Sequence, residues 1–312
     1  METDHLGDAY RFETIPLGTD REGDVVATLV ERCDNPPDGP AVLYVHGFSD
    51  YFFHPHVADF YRDRGYAFYA LDMRKSGRSI RPGHTPYLVG EISDYFPELT
   101  EAVTRIHRTH GKLLINAHST GALAVALWAE DTRGRGLVDA LVFNSPFLTL
   151  NAPRSVRFLG SGIARTLGRF SPLSVVPLPS SGANVQSIYA GAHGEWDFNV
   201  EWKPLTGVPV RMGWLRAVVR AQARLRRGLH IEVPVLAASA GTTYRRLGWT
   251  PEAMTGDAVL DADAIAKAAV RLGEDVTVVR IPDGMHDLAL SGEAARARLF
   301  KEIGVWLDAR FD

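Results

Sequence analysis

The sequence predicts an α/β fold: a mostly parallel central sheet flanked by helices, with an inserted helical segment. Three observations point to it. Short, almost wholly apolar runs recur along the chain, separated by helix-length segments, as suits parallel strands buried on both faces. Alternating apolar and polar residues open the chain, as in an antiparallel pair. Between about residues 147 and 229 the pattern breaks.

In chain order, Arg11 to Leu17 and Asp24 to Glu31 read as two strands around a Gly-Thr-Asp turn. Asn35 to Pro40 is a loop by composition. Ala41–Val45, Ala67–Leu71, Leu113–Asn116 and Ala140–Phe143 read as buried parallel strands, with helices expected near 54–64, 90–110 and 120–131. Val233–Ala238 and Val276–Ile281 are two further strands, with helices near 261–272 and 291–310. The intervening stretch holds six prolines and no convincing buried strand. Val156, Leu159, Ile163, Leu167 and Phe170 recur three or four apart and predict an amphipathic helix over 154–170. Met212, Leu215 and Val219, beside Arg216, Arg220 and Arg224, predict another over 210–227. Residues 1–146 and 230–312 then make one core, and 147–229 a cap. Such an insertion sits at the carboxyl edge of the sheet, where open α/β sheets bind ligands.

Composition narrows the function classes. A net charge of −3 over 312 residues gives no basic field for nucleic acid. The single cysteine, Cys33, excludes an internal disulfide and a thiolate metal site. The opening residues lack the apolar core of a secretory signal, and no run approaches the roughly 20 apolar residues of a membrane span. A cytoplasmic location is the expectation.

The chemistry concentrates where Leu113-Leu-Ile-Asn116 leads into Ala117-His118-Ser119-Thr120-Gly121 and then a helix-forming run. A strand-to-helix turn this tight needs small residues two before and two after its centre. It lifts the Ser119 hydroxyl clear of the sheet, at a helix N-terminus. The usual pattern is G-x-S-x-G; Ala117 replaces the first glycine and is still small. The rival reading is an ordinary serine helix cap.

A hydroxyl becomes a nucleophile only when a base takes its proton. His286 follows the last predicted strand, in Pro282-Asp-Gly-Met-His286-Asp, with Gly284 giving the loop freedom to turn. A carboxylate should orient the imidazole, and the chain order Ser, acid, His leaves candidates between the Val233 strand and His286. Asp257 is favoured. Asp261 comes next but reads better as a helix N-cap. The stretch from Ser239 to Gly256 is an unusually long excursion before such an acid. A tetrahedral oxyanion needs two donors. The backbone N–H groups of Thr120, after the nucleophile, and Phe48, in the His46-Gly47-Phe48-Ser49 loop after the first parallel strand, stand where they would be.

Together these residues resemble the α/β-hydrolase superfamily, and within it the monoacylglycerol lipase, lysophospholipase and serine aminopeptidase-like group. The resemblance rests on the His46-Gly47-Phe48 loop, Asp72-Met-Arg-Lys-Ser-Gly-Arg-Ser79, the turn at Ser119 and the Asp257 and His286 loops, in that order over residues 40–310. It implies a helical lid, no cofactor, and a structural role for Asp72 in the turn beside the oxyanion site. In that turn Lys75 stands where glycine is common. The expected function is hydrolysis of a carboxylic ester, lipid-like or lactone, through an acyl-enzyme. Amide or peptide cleavage or acyl transfer on the same fold, and a non-catalytic ligand-binding protein, are the alternatives. A peptidase would need an acidic anchor for an amine, for which Glu195, Asp197 and Glu201 are candidates.

Weaker signals complete the reading. His46, His118, Trp196 and Trp202 are candidate pocket residues, with packing inside the cap as the rival role for the tryptophans. His54-Pro-His56 has no carboxylate pattern to make a metal site, and Pro55 fits a helix start. The Arg216, Arg220, Arg224 stripe reads as a solvated face, or more sharply as a contact for an anionic lipid or membrane surface. The expected partner is a small-molecule or lipid ester; the oligomeric state is left open.

Overall fold

The computed structural model describes residues 2–150, 168–177 and 182–311. The helix expected over 154–170 therefore lies outside the described residues, except for 168–170, which are helical. Strands β1 (Glu2–Asp4), β2 (Gly7–Asp20) and β3 (Gly23–Arg32) open the chain. The parallel strands follow: β4 (Ala41–Val45), β5 (Ala67–Asp72), β6 (Leu113–His118), β7 (Ala140–Asn144), β8 (Val235–Ala240) and β9 (Val276–Ile281). The helices are α1 (Pro55–Arg62), α2 (Phe96–Ile106), α3 (Ser119–Asp131), α4 (Ala183–Ile188), α5 (Met212–Leu225), α6 (Ala262–Ala269) and α7 (Glu293–Arg310).

One nine-stranded sheet runs β1-β2-β3-β5-β4-β6-β7-β8-β9. The β1-β2-β3-β5 pairings are antiparallel and the rest parallel. The order places the site. From β4 the chain steps to β5 on one side, then crosses to β6 on the other, so the loops leaving β4 and β6 face each other across a topological switch point. Strands β4 to β8 are buried along their whole length, which explains their continuous apolar runs. One face packs α2, α3 and α5 through residues such as Leu99, Leu123 and Leu225; the other packs α1 and α7 through Tyr61 and Leu307. The core helix α3 is apolar on all sides because the sheet, α2 and α5 enclose it.

The differences from the sequence reading have local causes. β8 starts at Val235 because Pro234 lacks the N–H a ladder needs. The helix expected over 90–110 is a 3-10 turn at Ile92–Tyr95 followed by α2, with a proline in its first turn. β1 and α4 are too short to leave a periodic signal.

The Asp72 turn is a small buried network. Asp72 accepts from the Phe52 N–H at 2.9 Å and the Arg78 N–H at 3.0 Å, and its Oδ2 meets the Arg78 guanidinium at 2.7 Å. A Cβ on Gly77 would stand 2.4 Å from Asp72 Oδ2, so only glycine fits there. Lys75 takes the left-handed conformation itself, with φ 57°. Its ammonium holds Asp20 and Glu22 at 2.6 Å each, ion pairs that offset the strain glycine would avoid.

Between β7 and β8 the described chain contributes α4, α5 and irregular segments. The arginine stripe on α5 is exposed at Arg220 and Arg224, and each of its three guanidinium groups meets a carboxylate. Arg216 and Arg220 both pair with Glu91, at 2.9 and 3.0 Å, and Arg224 pairs with Asp131 at 2.9 Å. These pairs fasten α5 to the core. Among the described residues no helix is long and apolar enough to cross a membrane.

Candidate active site

The sequence from β6 to α3 makes a strained turn. Ser119 has φ 51°, a region that costs a non-glycine residue energy and is held only where neighbours over-determine it. Gly121 is one reason it holds: a Cβ there would lie 2.2 Å from the His46 carbonyl oxygen. The β4 loop presses on the other side, since a Cβ on Gly47 would be 3.0 Å from Ser119 Cβ. Ser119 is 7% exposed.

His286 reaches this turn from the loop after β9. Ser119 Oγ donates to His286 Nε2 at 3.1 Å, and His286 Nδ1 donates to Asp257 Oδ2 at 3.0 Å. The second Asp257 oxygen accepts from the Val259 and Leu260 N–H groups at 2.8 and 2.7 Å. The carboxylate is thus fixed by two main-chain donors and offers its free edge to the imidazole. Asp261 caps α6, accepting from the Ala264 N–H at 3.0 Å, and stays outside this chain of bonds. Gly284 serves packing rather than rotation. Its φ is not positive; a Cβ would strike Leu288 Cδ2 at 2.5 Å, and the left-handed residue of the loop is Asp283 at φ 55°.

The long excursion before Asp257 closes on itself. Thr243 and Asp257 form a parallel bridge, with the Asp257 N–H donating to the Thr242 carbonyl at 3.0 Å and the Tyr244 N–H donating to the Asp257 carbonyl at 2.9 Å. Asp257 therefore sits just past the end of β8 in space, although not in sequence. The excursion packs on the insertion: Trp249 Nε1 donates to Ser187 Oγ at 3.1 Å, and its ring stacks on His193.

Ser119 and His286 open into a cavity of about 370 Å³. Phe147, Leu150, Val210, Trp214, Leu215 and Val259 give it an apolar wall; Ser49, Asp50, His118, Lys203 and Asp287 give it a polar end. Phe48 and Thr120 also line it. Among the described lining residues are none of His46, Trp196 and Trp202, so those pocket assignments are corrected. His46 is fully buried and accepts the Met73 N–H at 3.0 Å. Trp196 stacks on His56 and donates to the Leu290 carbonyl at 2.9 Å. Trp202 packs on Tyr51. Glu195, Asp197 and Glu201 are exposed and also absent from the described lining.

The polar end holds residues the sequence reading missed. Lys203 Nζ donates to Asp50 Oδ1 at 2.7 Å. Asp287 accepts from Asn144 Nδ2 at 2.7 Å, from the Ala289 N–H at 3.0 Å and from His54 Nε2 at 3.2 Å. Burial alone would push the Asp287 carboxyl up; the His118 charge and the bonds from His54 and Asn144 outweigh it and hold it well below the usual range. Burial also pushes Asp50 up, and the charges of Lys203, His54 and His118 bring it below its ordinary value. Burial lowers His118 to about 4, so its charge acts on Asp287 and Asp50 only at acid pH, and near pH 7 its ring, 4.9 Å from that of His286, is neutral. Asp50, His54 and Asp287 converge closely enough to hold a cation. The fold thus supplies the carboxylate partners that the sequence around His54 lacks. Here an ammonium and an imidazole N–H already balance the two carboxylates, and no metal is assigned. One signal for these residues was available: Asp50 and Asp287 stand beside the Phe48 loop and His286.

Solved structures share this architecture. The chain superposes on a soluble variant of the Saccharomyces cerevisiae monoglyceride lipase in complex with a substrate analog, at 16% identity over 96% of each chain and a TM-score of 0.68. It also superposes on the Paleococcus ferrophilus monoacylglycerol lipase, at 17% identity over 96% of this chain and 99% of that one, with a TM-score of 0.64. Est1E of Butyrivibrio proteoclasticus, with ferulic acid bound, shares 18% identity over 96% of this chain and all (100%) of its own, with a TM-score of 0.56. At such identities the likeness establishes the fold. No curated protein sequence matches the chain. The family model Hydrolase_4, described as Serine aminopeptidase, S33, matches residues 36–292, and the chain belongs to that family: it is a hydrolase of the α/β-hydrolase fold.

Proposed function

We propose that the protein cleaves carboxylic esters with a sizeable apolar acyl group, using Ser119 as nucleophile, His286 as base and Asp257 as its orienting acid. The observation that carries this reading is the continuous bond chain from Asp257 through His286 to Ser119, ending in a cavity with an apolar wall. Residues 147–229 act as the cap of that cavity. As Ser119 Oγ attacks the ester carbon, its proton passes to His286 Nε2. The Phe48 and Thr120 N–H groups stabilise the oxyanion. The imidazolium returns the proton to the leaving alkoxide, freeing the alcohol. His286 then takes a proton from water, whose hydroxide attacks the acyl-enzyme, and Ser119 regains its proton as the acid departs.

The neighbours that are monoglyceride lipases support a lipid-like ester, and an acyl chain is what the Phe147–Trp214 wall suits. The amide-cleaving alternative needs an acidic anchor for an amine. The three candidates for it are exposed, and Asp50 inside the cavity is already paired with Lys203. Hydrolysis of p-nitrophenyl esters from two to sixteen carbons, with Ser119→Ala as control, tests the proposal. Turnover lost in the variant is the expected result. A wild type that neither hydrolyses any ester nor reacts with a fluorophosphonate overturns it in favour of a ligand-binding role.

A further inference from the structure

A lysine ammonium buried in an apolar pocket is costly unless it is paired. Lys203 is 5% exposed, and its Nζ stands 2.7 Å from Asp50 Oδ1 and within 6 Å of the Phe53 and Phe198 rings, at 5.3 and 5.7 Å. The pair joins two parts of the chain far apart in sequence: the insertion, and the loop that leaves β4. Asp50 lies two residues beyond Phe48. Between them Ser49 has φ 54°, a left-handed conformation that a serine adopts only under restraint. One end of the loop is restrained by the close approach of Gly47 to Ser119. At the other end, the Asp50 carbonyl accepts from Tyr87 Oη at 3.0 Å, and Lys203 holds the carboxylate. The second oxygen, Asp50 Oδ2, is buried with no hydrogen-bond partner among the described residues, so Lys203 carries that side chain.

We infer that Lys203 is a positioning residue: through Asp50 it holds the strained Phe48–Asp50 loop in place, so that the insertion sets the geometry of the oxyanion site. This rests on the proposed serine-hydrolase reading. A donor displaced by about 1 Å costs on the order of 100-fold in rate. The effect should appear in kcat, because the ground-state ester does not depend on that donor as its oxyanion does.

The test compares wild type, Lys203→Met, Lys203→Arg and the double variant Asp50→Asn/Lys203→Met, using the best p-nitrophenyl ester and a fluorophosphonate. Thermal unfolding confirms that each is folded. The expected result for Lys203→Met is a kcat lower by about 10- to 100-fold, KM within about twofold, and labelling of Ser119 slowed by the same factor. Lys203→Arg, which keeps the pair, should recover most of the loss. Should Lys203→Met not fold, the double variant has no uncompensated buried charge and takes its place, with the same kcat loss expected. Wild-type kcat and labelling rate in a folded variant, or a loss confined to KM or melting temperature, overturns the inference. A wild type that the fluorophosphonate does not label overturns the serine-nucleophile reading first, and the inference with it.

Discussion

The loops at the ends of β4, β6, β8 and β9 and the insertion between β7 and β8 both wall the cavity, but they are built differently. The loops hold their shape by steric exclusion and buried main-chain bonds: Gly121 has no room for a methyl group, and Asp257 is fixed by two N–H donors. The described part of the insertion is fastened by side chains. Arginines on α5 pair with Glu91 and Asp131, Trp196 bonds the Leu290 carbonyl, and Lys203 bonds Asp50. Close-packed backbone tolerates almost no change, whereas partly exposed ion pairs contribute little each. On the proposed reading, the loops carry the reacting groups, and the insertion sets what enters and, through Lys203, steadies the loop of the oxyanion site.

The sharpest way to break this contrast lies in the loops. Ser119→Ala should lower kcat by at least about 10⁴-fold, and Asp257→Asn by on the order of 10⁴-fold with an intact fold, because it offers the imidazole a donor where it needs an acceptor. Steady-state kinetics with circular dichroism decide it; an active Asp257→Asn would shift the acid role elsewhere.

Stability should show the same contrast. Gly121→Ala forces a Cβ to within 2.2 Å of the His46 carbonyl and should cost about 3 kcal/mol or fail to fold. Gly213→Ala, in α5, brings a Cβ to 3.0 Å from Pro172 Cβ, 3.2 Å from its carbonyl oxygen and 3.4 Å from Leu88 Cδ1, tight but not overlapping contacts, and gains helix propensity, so urea unfolding should place it within about 1 kcal/mol of wild type.

A pH series probes the loops from another side. Unfolded His118 binds a proton near its ordinary value of about 6.5, but in the folded chain only at about 4. Between those values the unfolded state holds more protons, so stability is full above the upper one and drains away as pH falls toward the lower. His118 alone should account for about 3 kcal/mol by pH 4. Melting temperatures from pH 7 to pH 4 should fall more steeply in wild type than in His118→Gln; parallel curves would remove His118 as the cause.

Apart from Lys203, the insertion should show smaller effects. Val210→Phe narrows the apolar wall from a half-buried position. It should move the ester optimum to shorter chains, with KM for long esters up by about tenfold and kcat for short ones unchanged. Arg216→Ala breaks a partly exposed pair with Glu91 and should cost at most about 1 kcal/mol, read from the urea midpoint. A larger loss would mean that α5 is held more by charge than by its buried face.

Legibility in the sequence divides along the same line. Ser119 and His286, which the structure joins by a hydrogen bond, could be singled out because a strand, a tight turn with small residues at fixed offsets and a loop after the last strand are local signals; Asp257, bonded to His286, is narrowed only by chain order. Apolar runs placed the buried strands because sheet burial leaves a continuous signal. Asp50, Lys203, Asn144 and Asp287 carry no such signal, since their roles depend on bonds such as Asn144 to Asp287, between residues distant in sequence. The tryptophans misled for a related reason. An aromatic residue in a cap reads alike whether it faces a ligand or its neighbours, and Trp196 and Trp202 face His56 and Tyr51.

The bridge between Thr243 and Asp257 has a consequence for how such a protein changes over generations. A loop pinched shut at its base can lengthen, shorten or be exchanged while the residue at the pinch stays put. Residues 244–256 thus amount to a cassette. Its two flanks keep Asp257 in register with His286, and its contents, Trp249 foremost, decide how the excursion grips the insertion. Selection could rewrite that cassette without touching the bond between Asp257 and His286, and a protein engineer could do the same.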